Sequence, residues 1–90
     1  MYYVYVLRNN TGRLYIGFTN DLKERVRRHQ SGEVYTTKRL GGFWELIYYE
    51  ASRNEIDAKK RERTLKTGYG WAYIKKRLRF DLKEYIGLAK

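Results

Sequence analysis

Residues 2–7, YYVYVL, are β-branched and aromatic, and a turn-forming NNTGR separates them from a second such run, LYIG, at 14–17. The two runs read as a hairpin. Chemistry constrains its register. With Asn9–Arg13 as a five-residue loop, Leu7 faces Tyr15 and Tyr5 faces Gly17. Directly opposed residues share a sheet face, so Tyr3, Tyr5 and Tyr15 fall on one side and Val4, Val6, Leu14 and Ile16 on the other. A slip of one residue would put Tyr5 and Tyr15 on opposite faces. Gly17, without a side chain, leaves room above Tyr5. Taken singly, each tyrosine is also an ordinary strand former, so the aromatic face is at this point either packing or chemistry.

The rest of the chain supplies helices to cover such a sheet. NDLKERVRRHQSG (20–32) reads as a helix with Asn20 as N-cap, acids in its first turn and Gly32 as its stop. Residues 33–42 read as irregular. FWELIYYE (43–50) alternates, with Trp44, Leu46 and Tyr48 on one face and Glu45 and Tyr49 on the other, and reads as a third strand. SRNE (52–55) reads as a capping box opening a helix that runs to about Thr67. TGYG breaks it, WAYIKKRL (71–78) has helical spacing, and DLKEYIGLA (81–89) reads as a short terminal helix. The expected fold is α+β in the broad α/β class: a small three-stranded sheet flanked by helices, in the order β-β-α-β-α-α-α. Ninety residues hold one domain with a modest core and marginal stability.

Charge points to the partner. Twenty Lys and Arg against ten Asp and Glu give +10, which calls for an acidic partner: nucleic acid first, an anionic membrane surface second. The membrane reading needs a basic amphipathic helix with a broad apolar face, and the apolar stripes here are committed to the core. With no Cys and one His, a zinc site and a thiolate nucleophile are both out of reach. No apolar run approaches the roughly 20 residues of a membrane span. The opening MYYVYVLRNN has neither basic leader nor cleavage site, so a cytoplasmic location is expected.

Two helical patterns complete the candidate site. Arg25 and His29 are four apart, one above the other on a helix face beside the Leu22–Val26 stripe, at the edge facing the tyrosines. In ASRNEIDAKKRERTLK, Ala58, Glu62 and Leu65 share one stripe at i, i+4 and i+7, while Lys59, Lys60, Arg61 and Arg63 take the other side. Glu62 thus occupies an apolar position. Burying a carboxylate is costly unless a cation accompanies it, so either a basic side chain or a metal ion neutralises it.

These pieces together resemble the GIY-YIG nucleases, and most closely the small stand-alone bacterial members. YVY (3–5) stands in the place of GIY, YIG (15–17) is literal, Arg25 and His29 follow at family-like intervals, and AKKRERTLK (58–66) is similar to the helix that carries the metal-binding glutamate, placing Glu62 there. Three departures stand out: Tyr3 replaces the first glycine, Phe18 follows Gly17 where some members have lysine, and no asparagine follows the glutamate helix.

The resemblance implies a metal-dependent endonuclease that hydrolyses DNA phosphodiesters, with a structure-selective, repair-related role and a further protein for targeting as the associated expectations. In that reading Glu62 anchors Mg²⁺ or Mn²⁺, a hard cation that keeps several waters. Arg25 grips the phosphate bidentately. Tyr5 is the favoured base, its pKa lowered by Arg25 and the metal, with Tyr15 assisting and His29 relaying the proton or touching phosphate. Lys59, Lys60, Arg61, Arg63, Lys66, Lys75, Lys76, Arg77 and Arg79 supply sequence-independent backbone binding. The rival reading is a non-catalytic nucleic-acid-binding module on the same fold. Glu62 separates the two, because a pure binder gains nothing from a carboxylate inside a basic helix.

Overall fold

The computed structural model describes residues 1–82. Their order is β1 (Tyr2–Asn9), β2 (Leu14–Thr19), α1 (Leu22–Gln30), α2 (Tyr35–Leu40), β3 (Trp44–Ser52), α3 (Glu55–Leu65), α4 (Gly68–Arg77) and α5 (Arg79–Leu82). The three strands form one antiparallel sheet in the order β2-β1-β3. The α+β architecture is the expected one. The terminal helix expected over 81–89 falls, beyond Leu82, outside the described residues.

The hairpin register follows the parity of its side chains. Tyr5 pairs with Gly17, Leu7 with Tyr15 and Val6 with Ile16. One face of the sheet carries Val4, Val6 and Ile16, packed against Ala58 and Leu65 of α3 and Ile74 of α4. The other carries Tyr5, Leu7 and Trp44, with Tyr15 beside them, and is covered by Leu22 and Val26 of α1 and Leu40 of α2. Two small cores therefore sandwich the sheet, and the tyrosines belong to the one under α1.

The third strand departs from simple alternation. Val6 pairs with Tyr48 but Leu7 pairs with Leu46, so the ladder slips at Ile47. This bulge reverses the facing of everything after it. Trp44 and Leu46 stay on the tyrosine face, Tyr48 moves to the Val4–Val6 core, and Tyr49 turns back to meet Tyr3 with ring centroids 6.0 Å apart.

Helix ends are also shifted. Asp21, not Asn20, caps α1, its carboxylate accepting from the Glu24 amide. An anion at that end is favoured further by the helix dipole. Ser52 ends β3, and Asn54 caps α3 by accepting from the amides of Ile56 and Asp57. Gly68 and Gly70 lie inside α4, whose cap is Thr67. A Cβ on Gly70 would collide with the Leu65 backbone, so this glycine lets α4 close tightly on the end of α3.

Residues 33–42, expected to be irregular, contain α2. Its N-cap, Val34, makes no side-chain hydrogen bond. The helix is held from outside: Trp44 Nε1 donates to the Thr37 carbonyl, and Asn9 Nδ2 donates to the carbonyl of Gly41. Buried Arg8 makes a comparable long-range tie, donating to Glu45 at 2.7 Å and to Asp81 at 3.1 Å, which joins β1 to α5.

Candidate active site

Tyr5 lies at the centre of the tyrosine face and is 0% exposed. Its ring crosses beneath Gly17, and a Cβ built there would lie 2.5 Å from Cζ of the phenol. The hydroxyl is 2.8 Å from Nε2 of His29. Tyr15 packs against both, with ring centroids 6.3 Å from Tyr5 and 4.9 Å from His29. Helix α1 delivers Arg25 and His29 from one face, as their spacing requires. Arg25 is half-buried and His29 is only 2% exposed. The second imidazole nitrogen, Nδ1, is 2.8 Å from Oγ1 of Thr37 on α2. Both nitrogens are thus occupied within the protein. The buried ring presents no free nitrogen to solvent.

Burial decides the charge states. Tyr5 is held above the usual phenol range, first by burial and then by neighbouring Tyr15; the charge and hydrogen bond of Arg25 pull the other way and lose. Tyr5 is a neutral phenol at neutral pH. The expectation that Arg25 lowers it is right in sign and too small in size. Tyr5 has an acceptor for its proton and no access to water. Tyr15 is half-buried and open to solvent, with no side-chain hydrogen bond among the described residues.

His29 is pushed down to about 4, by burial first and by the Arg25 charge second. An unfolded histidine binds its proton near pH 6.5. Between those values the unfolded chain carries the proton and the native one does not, so stability is complete above about pH 6.5 and falls as pH falls toward 4. The expected loss is roughly 3 kcal/mol over that window. Urea midpoints measured from pH 7.5 to 5 isolate it, because Glu50, held low mainly by Arg61, titrates further down. His29→Gln should flatten the profile; a wild-type profile already flat above pH 5 would contradict a buried neutral imidazole.

Glu62 lies on α3, between buried Ala58 and Leu65, with its side chain 21% exposed. Lys66, one turn on, bridges it at 2.9 Å. The carboxylate is close enough to Tyr5 to press its pKa upward. The buried-style Glu–Arg pair of this region is a different one: Arg61 clasps Glu50 through two hydrogen bonds, at 2.8 and 2.9 Å, and stacks over Tyr73. Among the described residues no group of three or more acidic or His ligands could hold a metal. The donor set fits a hard cation bound by one carboxylate that completes its shell with water and substrate oxygens, as Mg²⁺ does. Among the described residues, its side-chain partner is the solvent-exposed ammonium of Lys66.

The basic helices divide in two. Lys59 pairs with Glu55, Arg61 with Glu50 and Lys66 with Glu62. Lys60, Arg63, Lys75, Lys76, Arg77 and Arg79 are exposed and make no ion pair among the described residues. A groove of about 690 Å³ between α1 and β3, walled by Tyr3, Leu22, Val26 and Tyr49, contains none of the five candidate catalytic residues. No described helix is long and apolar enough to cross a membrane.

Comparison with known proteins supplies the decisive observation. The model of the GIY-YIG catalytic domain matches residues 1–77, which takes in both tyrosines, Arg25, His29 and Glu62. The chain belongs to the GIY-YIG family. It is 38% identical over 77 residues to a UPF0213 protein of Bacillus pumilus (strain SAFR-032), covering 86% of this chain and 76% of that one. A UPF0213 protein of Clostridium perfringens (strain 13 / Type A) is 36% identical over 66 residues, 73% of this chain and 71% of the relative. One from Pediococcus acidilactici is 41% identical over 63 residues, 68% and 64% of the two chains. No solved structure matches. GIY-YIG membership implies nuclease chemistry on DNA in general terms. Within this GIY-YIG domain, Thr37 is the contact that the sequence did not announce. It lies in a helix without a side-chain cap, and only the third dimension brings it to His29.

Proposed function

We propose that this GIY-YIG protein is a divalent-metal-dependent endonuclease that hydrolyses DNA phosphodiesters. One observation carries the reading. Tyr5, Tyr15 and His29 meet on one sheet face, α1 brings Arg25 to the same side, and Glu62 stands on α3 between buried Ala58 and Leu65.

In this reading Arg25 grips a phosphate with two parallel hydrogen bonds. The attacking water reaches Tyr5 once DNA is bound. The water O–H breaks, its proton passes to the Tyr5 oxygen, and the Tyr5 proton passes to Nε2 of His29. The water oxygen bonds to phosphorus as the opposite P–O bond breaks, and the departing oxygen takes a proton from solvent. Glu62 would hold Mg²⁺ or Mn²⁺, which when bound supplies Lewis-acid stabilisation of the phosphate charge. Tyr15 borders the pair and orients it.

Six cations on α3, α4 and α5, without ion pairs among the described residues, give the binding its character. If about six phosphates are neutralised, log K should fall against log salt with a slope near −5, with little preference for sequence. The test combines that titration with cleavage of linear, nicked and branched DNA in Mg²⁺, Mn²⁺ and EDTA. Cutting in either metal and none in EDTA is the expected result. A nuclease-free preparation that binds with this salt slope and cuts nothing would favour the binding module instead.

A further inference from the structure

We propose that Thr37 is a positioning residue: it fixes the tautomer of His29, so that Nδ1 keeps the proton and Nε2 presents its lone pair to the Tyr5 hydroxyl. The contact is short and enclosed. Thr37 is 1% exposed, His29 2% and Tyr5 0%, so no solvent enters to satisfy any of the three. A neutral imidazole has one N–H, and the hydrogen bonds at its two ends decide where it stays.

Proton counting selects the tautomer. The buried Tyr5 O–H needs an acceptor. Nε2 at 2.8 Å is the one recorded among the described residues. Were Nε2 protonated, the Tyr5 oxygen would accept from it, and the buried Tyr5 proton would have no acceptor among the described residues. The other end agrees. The Thr37 hydroxyl donates back to the Val34 carbonyl at 3.4 Å, a common arrangement within a helix, which leaves its lone pair for Nδ1–H. Every proton from Tyr5 to Val34 then has an acceptor, and no buried side-chain N or O in the described residues is left without a partner.

The catalytic half of this inference rests on the nuclease reading above; the tautomer does not. With Nε2 free, His29 can take the Tyr5 proton while Nδ1–H stays on Thr37. With the opposite tautomer it can take none. Outer partners that orient a functional histidine are typically worth tenfold to a hundredfold in activity.

The chain has a single histidine, so its imidazole nitrogens can be read without assignment ambiguity. ¹⁵N NMR of the substrate-free wild type at neutral pH should show the proton on Nδ1 and Nε2 proton-free. Thr37→Val keeps the shape and removes the acceptor. It should shift the imidazole toward the Nε2–H form and slow cleavage by about tenfold or more. Thr37→Ser, which restores a hydroxyl, should recover both. Wild-type protein with its proton on Nε2 would overturn the assignment, as would a Thr37→Val protein, folded by thermal melt, with unchanged tautomer. Should Thr37→Val fail to fold, the wild-type spectrum and Thr37→Ser still decide. If the parent cuts no DNA, the nuclease reading fails while the spectrum settles the tautomer separately.

Discussion

Glu62→Gln should reduce metal-dependent cleavage by about a thousandfold or more, while fold and DNA affinity survive. The substitution keeps the side chain's shape and removes the charge that would hold the cation, and charge neutralisation by a metal is worth several kcal/mol to a phosphoryl reaction. Little else depends on that charge. Its one ion pair among the described residues, with Lys66, joins residues four apart on a helix, and the Lys66 end is 52% exposed. Such pairs contribute roughly 0.3–0.5 kcal/mol. Desolvating the carboxylate cost something too, so the net change in stability should be within about 0.5 kcal/mol in either direction. DNA affinity should hold or rise, because Lys66 is released and a repulsive charge beside the basic helices disappears. Arg25→Ala makes the contrast: it should lose cleavage and also weaken phosphate binding. A Glu62→Gln protein that cuts at the parental rate would place the metal elsewhere.

Which features were legible follows from how local their causes are. The hairpin register could be read because strand periodicity is two and most side chains sort by kind: Val4, Val6, Leu14 and Ile16 on one parity, Tyr3, Tyr5 and Tyr15 on the other. Arg25 and His29 could be placed together because helical spacing alone puts them on one face. The bulge at Ile47 left only an ambiguous mark, an apolar residue at the parity of Glu45 and Tyr49; only pairing with β1 reveals the slip and returns Tyr48 to the other core. Helix α2 was hidden for a similar reason. It has no side-chain cap and is held by Trp44 and Asn9, each distant from it in register or sequence. Thr37 was lost with it. Glu62 shows the limit from the other side. Its odd position on the helix was visible, but whether a lysine, an arginine or a metal answers its charge depends on what the sheet brings near. Lys66 takes that place, and the arginine on the same helix turns to Glu50.

Gly17→Ala should destabilise the protein by roughly 2–4 kcal/mol and break the Tyr5–His29 hydrogen bond, although alanine is ordinarily the better strand residue there. Gly17 lies in β2 with no positive φ, so its backbone does not require glycine. Replacing glycine in an extended segment normally gains about 0.5–1 kcal/mol. The obstacle is Tyr5. The new methyl would lie 2.5 Å from Cζ and 2.9 Å from Cε1 of a ring that is fully buried and wedged against Tyr15 and His29. The ring cannot yield without giving up the His29 contact and repacking the core around it. Overpacking of this kind costs roughly 1–3 kcal/mol, and the lost buried hydrogen bond adds about 1–3 more. The cause can be isolated by changing the ring. Tyr5→Phe leaves Cζ in place, so Gly17→Ala should remain harmful in that background. Tyr5→Leu removes Cε1, Cζ and the hydroxyl; it opens a cavity of its own, and in that background Gly17→Ala should become neutral or stabilising. Urea unfolding of the four combinations with leucine measures the reversal directly, since contacting residues are where additivity fails. An equal penalty for Gly17→Ala beside tyrosine and beside leucine would mean that the glycine answers to the backbone, and that the close approach of Tyr5 to β2 is not what its absent side chain serves.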